Sequence, residues 1–325
     1  MKKVGIIFGG KSAEHEISLL SAKNVYDAID KEKFNPTLIK IEKSGKWQMN
    51  EIFNFDVIFP ILHGPFGEDG TIQGLLKLAD IPFVGPDVLG SAVGMDKDVM
   101  KRLLRDAGIP IGKFLTIKSY ETMPSFAEVQ SAIGSGENKN IFFIKPANMG
   151  SSVGINKVKN QDELSAALKD AFQYDTKVII EEFIPGREIE CAVLGNEEPA
   201  ASIPGEIIPS HDFYSYDAKY IDDNGAALEI PAKLDNDTIK RIQELAIKVF
   251  KTLNCEGLSR VDLFLKPNGE LIVNEINTMP GFTKISMYPK MWEKSGISYT
   301  DLITRLIELA ISRFERDQKL KTTVV

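Results

Sequence analysis

The chain opens with short apolar runs alternating with longer segments of helical spacing. Val4 to Phe8 is an unbroken apolar run ending in Gly9-Gly10, and Ala13 to Ile29 repeats apolar residues at helical intervals. Further strands are expected at Thr37 to Ile41, at Val57 to Ile61 and, briefly, at Pro82 to Val84, with a helix over Thr71 to Ala79. This strand–helix rhythm predicts a parallel sheet with helices on both faces.

Beyond residue 95 the pattern changes. A helix over Asp96 to Ala107 ends at Gly108, with Pro110 just past it. Strands at Ile141 to Lys145 and Gly154 to Val158 flank a glycine–serine turn, followed by a helix over Gln161 to Phe172 and a strand at Val178 to Phe183. Residues 185 to 232 mix short strands with a loop rich in Asp, Tyr and Ser, His211 to Gly225. An amphipathic helix over Thr238 to Leu253 precedes a hairpin, Leu258 to Leu265 and Glu270 to Ile276, around Pro267-Asn268-Gly269. A last helix covers Tyr299 to Phe314.

At 325 residues the chain has room for two or three domains. A net charge of −7 gives no reason to expect a nucleic-acid or anionic-membrane partner. Cys191 and Cys255 lack metal-like spacing, and three scattered histidines do not suit a histidine-built zinc site. The N-terminal apolar run is too short for a signal peptide, and no stretch approaches a membrane span, so a cytoplasmic enzyme is the default.

The hairpin carries the sharpest chemistry. Alternation puts Arg260 and Asp262 on one face of the first strand, and Glu275 and Asn277 share a face of the second. Counting from the turn brings Asp262 opposite residue 274 or 275. Two carboxylates, an amide oxygen and a guanidinium then share one surface, a set of hard oxygen donors that suits Mg²⁺ with phosphate. Lys145 leaves a buried strand into Gly150-Ser151-Ser152, a flap whose N–H and hydroxyl groups can cover phosphates. It is not a Walker loop, which opens a helix. The strand edge through Glu181, Glu182, Phe183 and Ile184 can face an adenine, with Glu188 in reach of a ribose. His63 to Gly74, rich in glycine around Glu68-Asp69, follows a parallel strand at the ligand-binding edge of the sheet. His63 is either a substrate-facing donor or a buried structural histidine.

Together these motifs resemble the ATP-grasp superfamily and, within it, the D-alanine–D-alanine ligase family. The resemblance covers nearly the whole chain and is most specific at His63 to Gly74 and Gly257 to Gly281. It implies an α/β ATP-grasp fold with an N-terminal parallel α/β substrate-binding domain (1–95). Two α+β domains that sandwich ATP would follow, a small one with the phosphate flap (96–185) and a large one with a lid loop and the metal site (186–325). The implied activity is ATP-dependent joining of two D-alanine molecules through an acyl phosphate, for peptidoglycan precursors, by a cytoplasmic homodimer.

Carried over residue by residue, Lys97 and Lys145 would contact the ATP phosphates, under Ser151 and Ser152. Asp262, Glu275 and Asn277 would hold two Mg²⁺ ions, for which Mn²⁺ can substitute. Glu14 would bind the ammonium of the first D-alanine with His63 nearby, although Glu16 is a close competitor for that role. Arg260 and the N–H of Gly281 would stabilise the oxyanion, and Ser286 would take the second carboxylate. Lys219 and Tyr220 belong to the expected lid, where the Tyr220 hydroxyl could bond Ser151 and Glu14. The retained tyrosine favours D-alanine over D-lactate as second substrate. No residue stands out as the base for the incoming ammonium.

Overall fold

Three parallel strands, β1 (Lys2–Gly9), β2 (Phe34–Ile41) and β3 (Val57–Ile61), form the N-terminal sheet in the order β2-β1-β3. The computed structural model describes residues 1–209, 226–283 and 285–321. Val4, Ile6, Val57, Phe59 and Ile61 face one way, toward α1 (His15–Ala28), while Ile7, Ile39 and Ile58 face the other. Both faces of β1 and β3 are buried, which is why these two strands read as continuous apolar runs, whereas the edge strand β2 exposes Asn35, Thr37, Leu38 and Lys40. The expected strand at Pro82 to Val84 is a single parallel bridge from Phe83 to Ile58. After α2 (Thr71–Leu78) comes a helix that the sequence pattern did not suggest, α3 (Val88–Met95), and Asp96 then caps α4 (Lys97–Asp106) through Val99 N at 3.0 Å.

A four-stranded antiparallel layer follows in the order β4-β7-β5-β6, from β4 (Phe114–Lys118), β5 (Phe142–Pro146), β6 (Asn156–Val158) and β7 (Lys177–Glu182). Its core packs α5 (Phe126–Ile133) and α6 (Gln161–Ala171) through Val129, Ile133, Leu164 and Leu168. A Ser125–Glu128 capping box starts α5.

The largest sheet runs β11-β10-β8-β12-β13, with β9 against β8. Its strands are β8 (Arg187–Gly195), β9 (Ala200–Ala201), β10 (Gly205–Pro209), β11 (Ala226–Glu229), β12 (Gly257–Leu265) and β13 (Leu271–Asn277). One face packs on α7 (Asn236–Thr252) through Ile242, Ala246, Val249 and Phe250. Met100, Leu104 and Ile109 join that core, so α4 packs with the large sheet rather than with the four-stranded layer. A further core joins the N-terminal sheet to β8, to α8 (Met287–Lys294) and to α9 (Tyr299–Asp317). Phe282 lies at its centre, edge-on to Phe59 at 5.7 Å.

Phe250 is fully buried. Phe250→Ala should cost about 3–5 kcal/mol, read as a lower urea midpoint. Leu78→Ala, at a position 90% exposed, should stay within about 0.5 kcal/mol of the parent.

Candidate active site

The hairpin register decides the first question that the sequence leaves open. Arg260 pairs with Asn277, Val261 with Ile276 and Asp262 with Glu275, and the register then shifts to Leu263 opposite Val273. Asn274 is therefore the extra residue of a β-bulge on β13, and Asp262 faces Glu275. On its other side β12 pairs with β8, which sets Glu190 opposite Asp262 and Ala192 opposite Arg260. One row across three strands thus reads Glu190, Asp262, Glu275, and the next reads Ala192, Arg260, Asn277.

Arg260 makes a two-pronged contact with Asp262, Nε to Oδ1 and Nη2 to Oδ2, both 2.7 Å. Its Nε also lies 2.9 Å from Glu190 Oε2. Asn277 Nδ2 donates to Asp262 Oδ2 at 2.9 Å, and Lys97 Nζ lies 3.4 Å from Glu275. Burial disfavours a charged guanidinium, but the Asp262 and Glu190 carboxylates outweigh it and raise the Arg260 pKa well above its usual value.

A cavity of about 290 Å³ separates this face from the four-stranded layer. Phe143, Phe183, Ile184, Leu263 and Phe264 form its apolar end, while Lys97, Lys145, Asp262, Asn274 and Glu275 form the polar end. Phe143 and Phe183 stack with centroids 6.2 Å apart. Lys97 Nζ donates to Met149 O at 2.7 Å, which ties it to the flap. Lys145 Nζ reaches Glu181 at 2.5 Å and Asn274 Oδ1 at 3.4 Å. The other Glu181 oxygen binds Lys101 at 2.6 Å. Burial pushes Glu181 up, but Lys101 and Lys145 prevail and bring it to about 2. The Glu181 side chain therefore fixes two lysines, and any adenine contact falls to the backbone beyond it. Glu182 is similarly engaged, accepting from Lys113 N at 2.8 Å and from the Ser135 hydroxyl. Glu188 lines the cavity on the same face of β8 as Glu190.

The flap reaches the N-terminal domain. Ser151 Oγ donates to Glu14 Oε1, and both Ser151 and Ser152 hold positive φ, 52° and 61°, a conformation that costs non-glycine residues energy. Ser152 lines the cavity beside Ser151. Glu16, the competing carboxylate, is exposed and paired with Lys43 at 2.7 Å. Glu14 is buried at the flap, and Gly64 (φ 73°) makes room for it, since a Cβ there would sit 2.6 Å from Glu14 Oε2. His63 is buried with both ring nitrogens engaged. Nδ1–H donates to Met279 O at 3.0 Å, the tautomer that a carbonyl acceptor requires, and Nε2 accepts from Ser21 Oγ at 3.2 Å. Burial lowers its pKa, so the ring is neutral and holds the Met279–Phe282 turn. In that turn a Cβ on Gly281 would lie 2.8 Å from Ser286 Oγ, which also accepts from Thr283 N at 3.0 Å. Lys219 and Tyr220 lie outside the described residues.

Three participants escaped the sequence pattern: Glu190, Lys101 and Glu68. Lys101 is four residues from Lys97 on α4, a helical-face signal that could have found it. Glu68 accepts from Gly64 N at 2.8 Å and Met279 N at 3.0 Å, bridging the two glycine-rich loops.

A cleft between two antiparallel layers, with Lys145 and Glu181 on one wall and Asp262 and Glu275 on the other, defines an ATP-grasp protein. Two family descriptions match, "D-ala D-ala ligase C-terminus" over residues 103–308, which holds both layers of the cleft, and "D-ala D-ala ligase N-terminus" over 3–55 and 48–86. The chain belongs to the D-alanine–D-alanine ligase family. It is 52% identical to a D-alanine–D-alanine ligase of Oceanobacillus iheyensis, over 99% of this chain and 98% of that one. Among solved structures it resembles the VanG D-Ala:D-Ser ligase of Enterococcus faecalis, with 39% identity, TM-score 0.84 and coverage of 95% and 99%. It also resembles a Bacillus anthracis D-alanine–D-alanine ligase complexed with ATP, with 27% identity, TM-score 0.82 and coverage of 98% and 100%. The alignment with the Oceanobacillus protein runs over 365 positions against 325 residues here, so that relative carries roughly forty positions without a counterpart. The two overlapping N-terminal matches locate a break near residues 48–55.

Burial, then the nearby Glu14 charge, raises Glu68 from 4.5 to about 8, against the pull of its two N–H bonds. Its folded pKa exceeds the unfolded one, so its stabilisation is complete below about pH 4.5 and is lost as pH rises through about 8. Glu68→Gln should therefore flatten the decline in unfolding free energy across that window, measured by urea denaturation at a series of pH values.

Proposed function

We propose that this chain joins two D-alanine molecules to D-alanyl-D-alanine, consuming ATP and releasing ADP and phosphate, for peptidoglycan precursor synthesis. The observation that carries the reading is the pair of rows on β8, β12 and β13. They set Arg260 beside Asp262, whose row with Glu275 lines the cavity together with Lys145, on a strand pair that runs on from Asn277 into the Met279–Phe282 turn. The three segments 1–95, 96–185 and 186–325 supply substrate loop, flap and charged face in turn.

Lys97 and Lys145 neutralise charge on the transferring phosphoryl group, and Ser151 and Ser152 cover it. Phe183, Ile184 and the backbone of Glu181 and Glu182 receive the adenine, and Glu188 the ribose. Glu14 binds the ammonium of the first D-alanine. After its carboxylate is phosphorylated, the second amine attacks the acyl carbon, and Arg260 with the Gly281 N–H stabilises the oxyanion. Ser286 receives the second carboxylate. Closure of a lid that carries Lys219 and Tyr220 would keep water from the acyl phosphate.

The donor set fits Mg²⁺. Among the described residues no three His, Cys, Asp or Glu side chains converge on a metal position. Asp262, Glu275 and Asn277 instead offer two carboxylates and an amide oxygen, the partial shell that Mg²⁺ completes with phosphate and water. These carboxylates already balance Arg260 and Lys97, so an incoming triphosphate must bring cations. Two Mg²⁺ ions, or Mn²⁺ in their place, would supply charge neutralisation and polarisation of the transferred group. No helix among the described residues is long and apolar enough to cross a membrane. A cytoplasmic homodimer is part of the same reading.

Purified protein with ATP and Mg²⁺ should release phosphate when given D-alanine, with D-alanyl-D-alanine identified by mass. L-alanine should not support it, and neither D-serine nor D-lactate should compete efficiently as second substrate. Absence of D-alanine-dependent release from folded, ATP-binding protein would overturn the substrate assignment, and D-alanyl-D-serine as main product would move it to the activity named for the VanG relative. Arg260→Ala should lower turnover by roughly a hundredfold or more, and chelation of divalent cations should abolish it.

A further inference from the structure

Arg260 faces more negative charge than one guanidinium needs. Asp262 holds it through two hydrogen bonds, Glu190 approaches the same Nε from the next strand, and Glu275 contributes from β13. Two of these acids, Asp262 and Glu275, are the ones offered to cations with the nucleotide. Glu190 differs from them. It is 5% exposed, directly opposite Asp262 on β8, and no third carboxylate joins the pair as a metal cluster among the described residues. The Arg260 Nε–H aims at Asp262 Oδ1 at 2.7 Å, while Glu190 Oε2 lies 2.9 Å from that nitrogen as an ion contact off the N–H direction.

This geometry has a consequence once Asp262 is drawn to a cation. A carboxylate engaged by a divalent ion is a poorer partner for a guanidinium, and a buried guanidinium left without a carboxylate is strongly disfavoured. Its Nε–H would need only a small rotation to meet Glu190. We infer that Glu190 is the positioning residue that holds Arg260 by Nε when Asp262 is occupied, leaving the Nη groups directed at the developing oxyanion. The role of Arg260 at the oxyanion rests on the ligase reading above. The anchoring of its Nε by Glu190 rests only on a cation drawing Asp262 away. Strand register fixes the base of the anchor: β8 and β12 are hydrogen-bonded neighbours, which keeps Glu190 directly opposite Asp262 and beside Arg260.

The test compares the intact wild-type chain with Glu190→Gln and Glu190→Asp. The first readout is the Arg260 Nε–H resonance in ¹⁵N-arginine protein, assigned by its loss in Arg260→Lys. With ADP and Mg²⁺ added, it should stay protected from water exchange in the wild type and become exposed in Glu190→Gln. Equal protection in both proteins overturns the inference, whatever the enzyme turns over. The second readout is kinetic. Glu190→Gln should lose roughly 10- to 100-fold in kcat, with KM for ATP and the Mn²⁺ affinity measured by calorimetry unchanged. Glu190→Asp, which keeps the charge, should recover part of that loss. In the Arg260→Lys background the Glu190→Gln change should add little, because both act through one group. A comparable fall in Mn²⁺ affinity would make Glu190 a metal ligand and overturn the positioning role, as would a full, independent loss in the Arg260→Lys background. If wild type shows no D-alanine-dependent turnover, the substrate assignment fails by itself and the resonance comparison still decides the anchor.

Discussion

Pairing of buried charge is the constraint on which this site depends. Lys97, Lys101 and Lys145 line one cavity, with Arg260 beside its Asp262 wall, and each would be costly there alone. Glu181 secures two of the lysines, and Asp262 and Glu190 secure the arginine. The strands carry this pairing because cross-strand neighbours sit at fixed spacing. A partner placed by register needs no loop to hold it. The two walls come from different sheets and α4 joins them: Lys101 reaches Glu181 at 2.6 Å, and Lys97 reaches Met149 O at 2.7 Å and Glu275 at 3.4 Å. Lys145 to Asn274, at 3.4 Å, is a long and weak polar contact directly between strands of the two sheets.

A second set of contacts joins the segments around the substrate loop. His63 ties the N-terminal domain to Met279 O, Ser21 accepts from Phe282 N at 3.3 Å, and Glu68 receives Met279 N. Arg313 on α9 donates to Phe83 O at 2.8 Å and also to Gly85 O, fixing the far side of the same domain. The Met279–Phe282 turn, and with it the Gly281 N–H, is therefore positioned from the N-terminal domain as much as from β13. Ser151 to Glu14 is different in kind. It depends on two serines in left-handed backbone conformations, so the flap is held against Glu14 at an energetic cost that an occupied site could release.

Legibility in the sequence followed from how local each signal was. Alternation on β12 and β13 needs only neighbouring residues and a turn, so Arg260, Asp262, Glu275 and Asn277 could be set on one face. The bulge at Asn274 is a backbone event without a residue signature here, and it decided which residue opposed Asp262. Glu190 was invisible because its meaning lies in pairing with a strand far along the chain, inside a stretch read as a mixture of short strands. Among the helices absent from the sequence pattern, α3 carries Gly90 and Gly94 and α8 has Pro289 in its opening turn, so tertiary packing rather than propensity makes these two helical. The third, α5, did carry a local signal, its Ser125–Glu128 capping box. His63 stayed ambiguous because a histidine's role depends on what each nitrogen meets, and both partners come from elsewhere in the chain.

The break near residues 48–55 shows what the N-terminal sheet requires. With β1 between β2 and β3, the connection from Ile41 to Val57 must cross one whole face of the sheet. In other doubly covered sheets a helix makes such a crossing. Here a 3-10 turn, Met49–Asn54, suffices, because Ile52 is fully buried and Trp47 and Phe55 pack beside it against Ile7, Ile39 and Ile58. Loop-closure entropy grows only slowly with length, so a longer connection at this place would be tolerated, provided that an apolar residue still fills the position of Ile52. Glu14, His63 and Glu68 leave the sheet at the edge where β2 ends, since Gly9 pairs with Ile41 and Gly45, Trp47 and Met49 share a pocket with His63, so the start of the crossing borders the substrate loop and only its later part, toward Val57, runs clear of it.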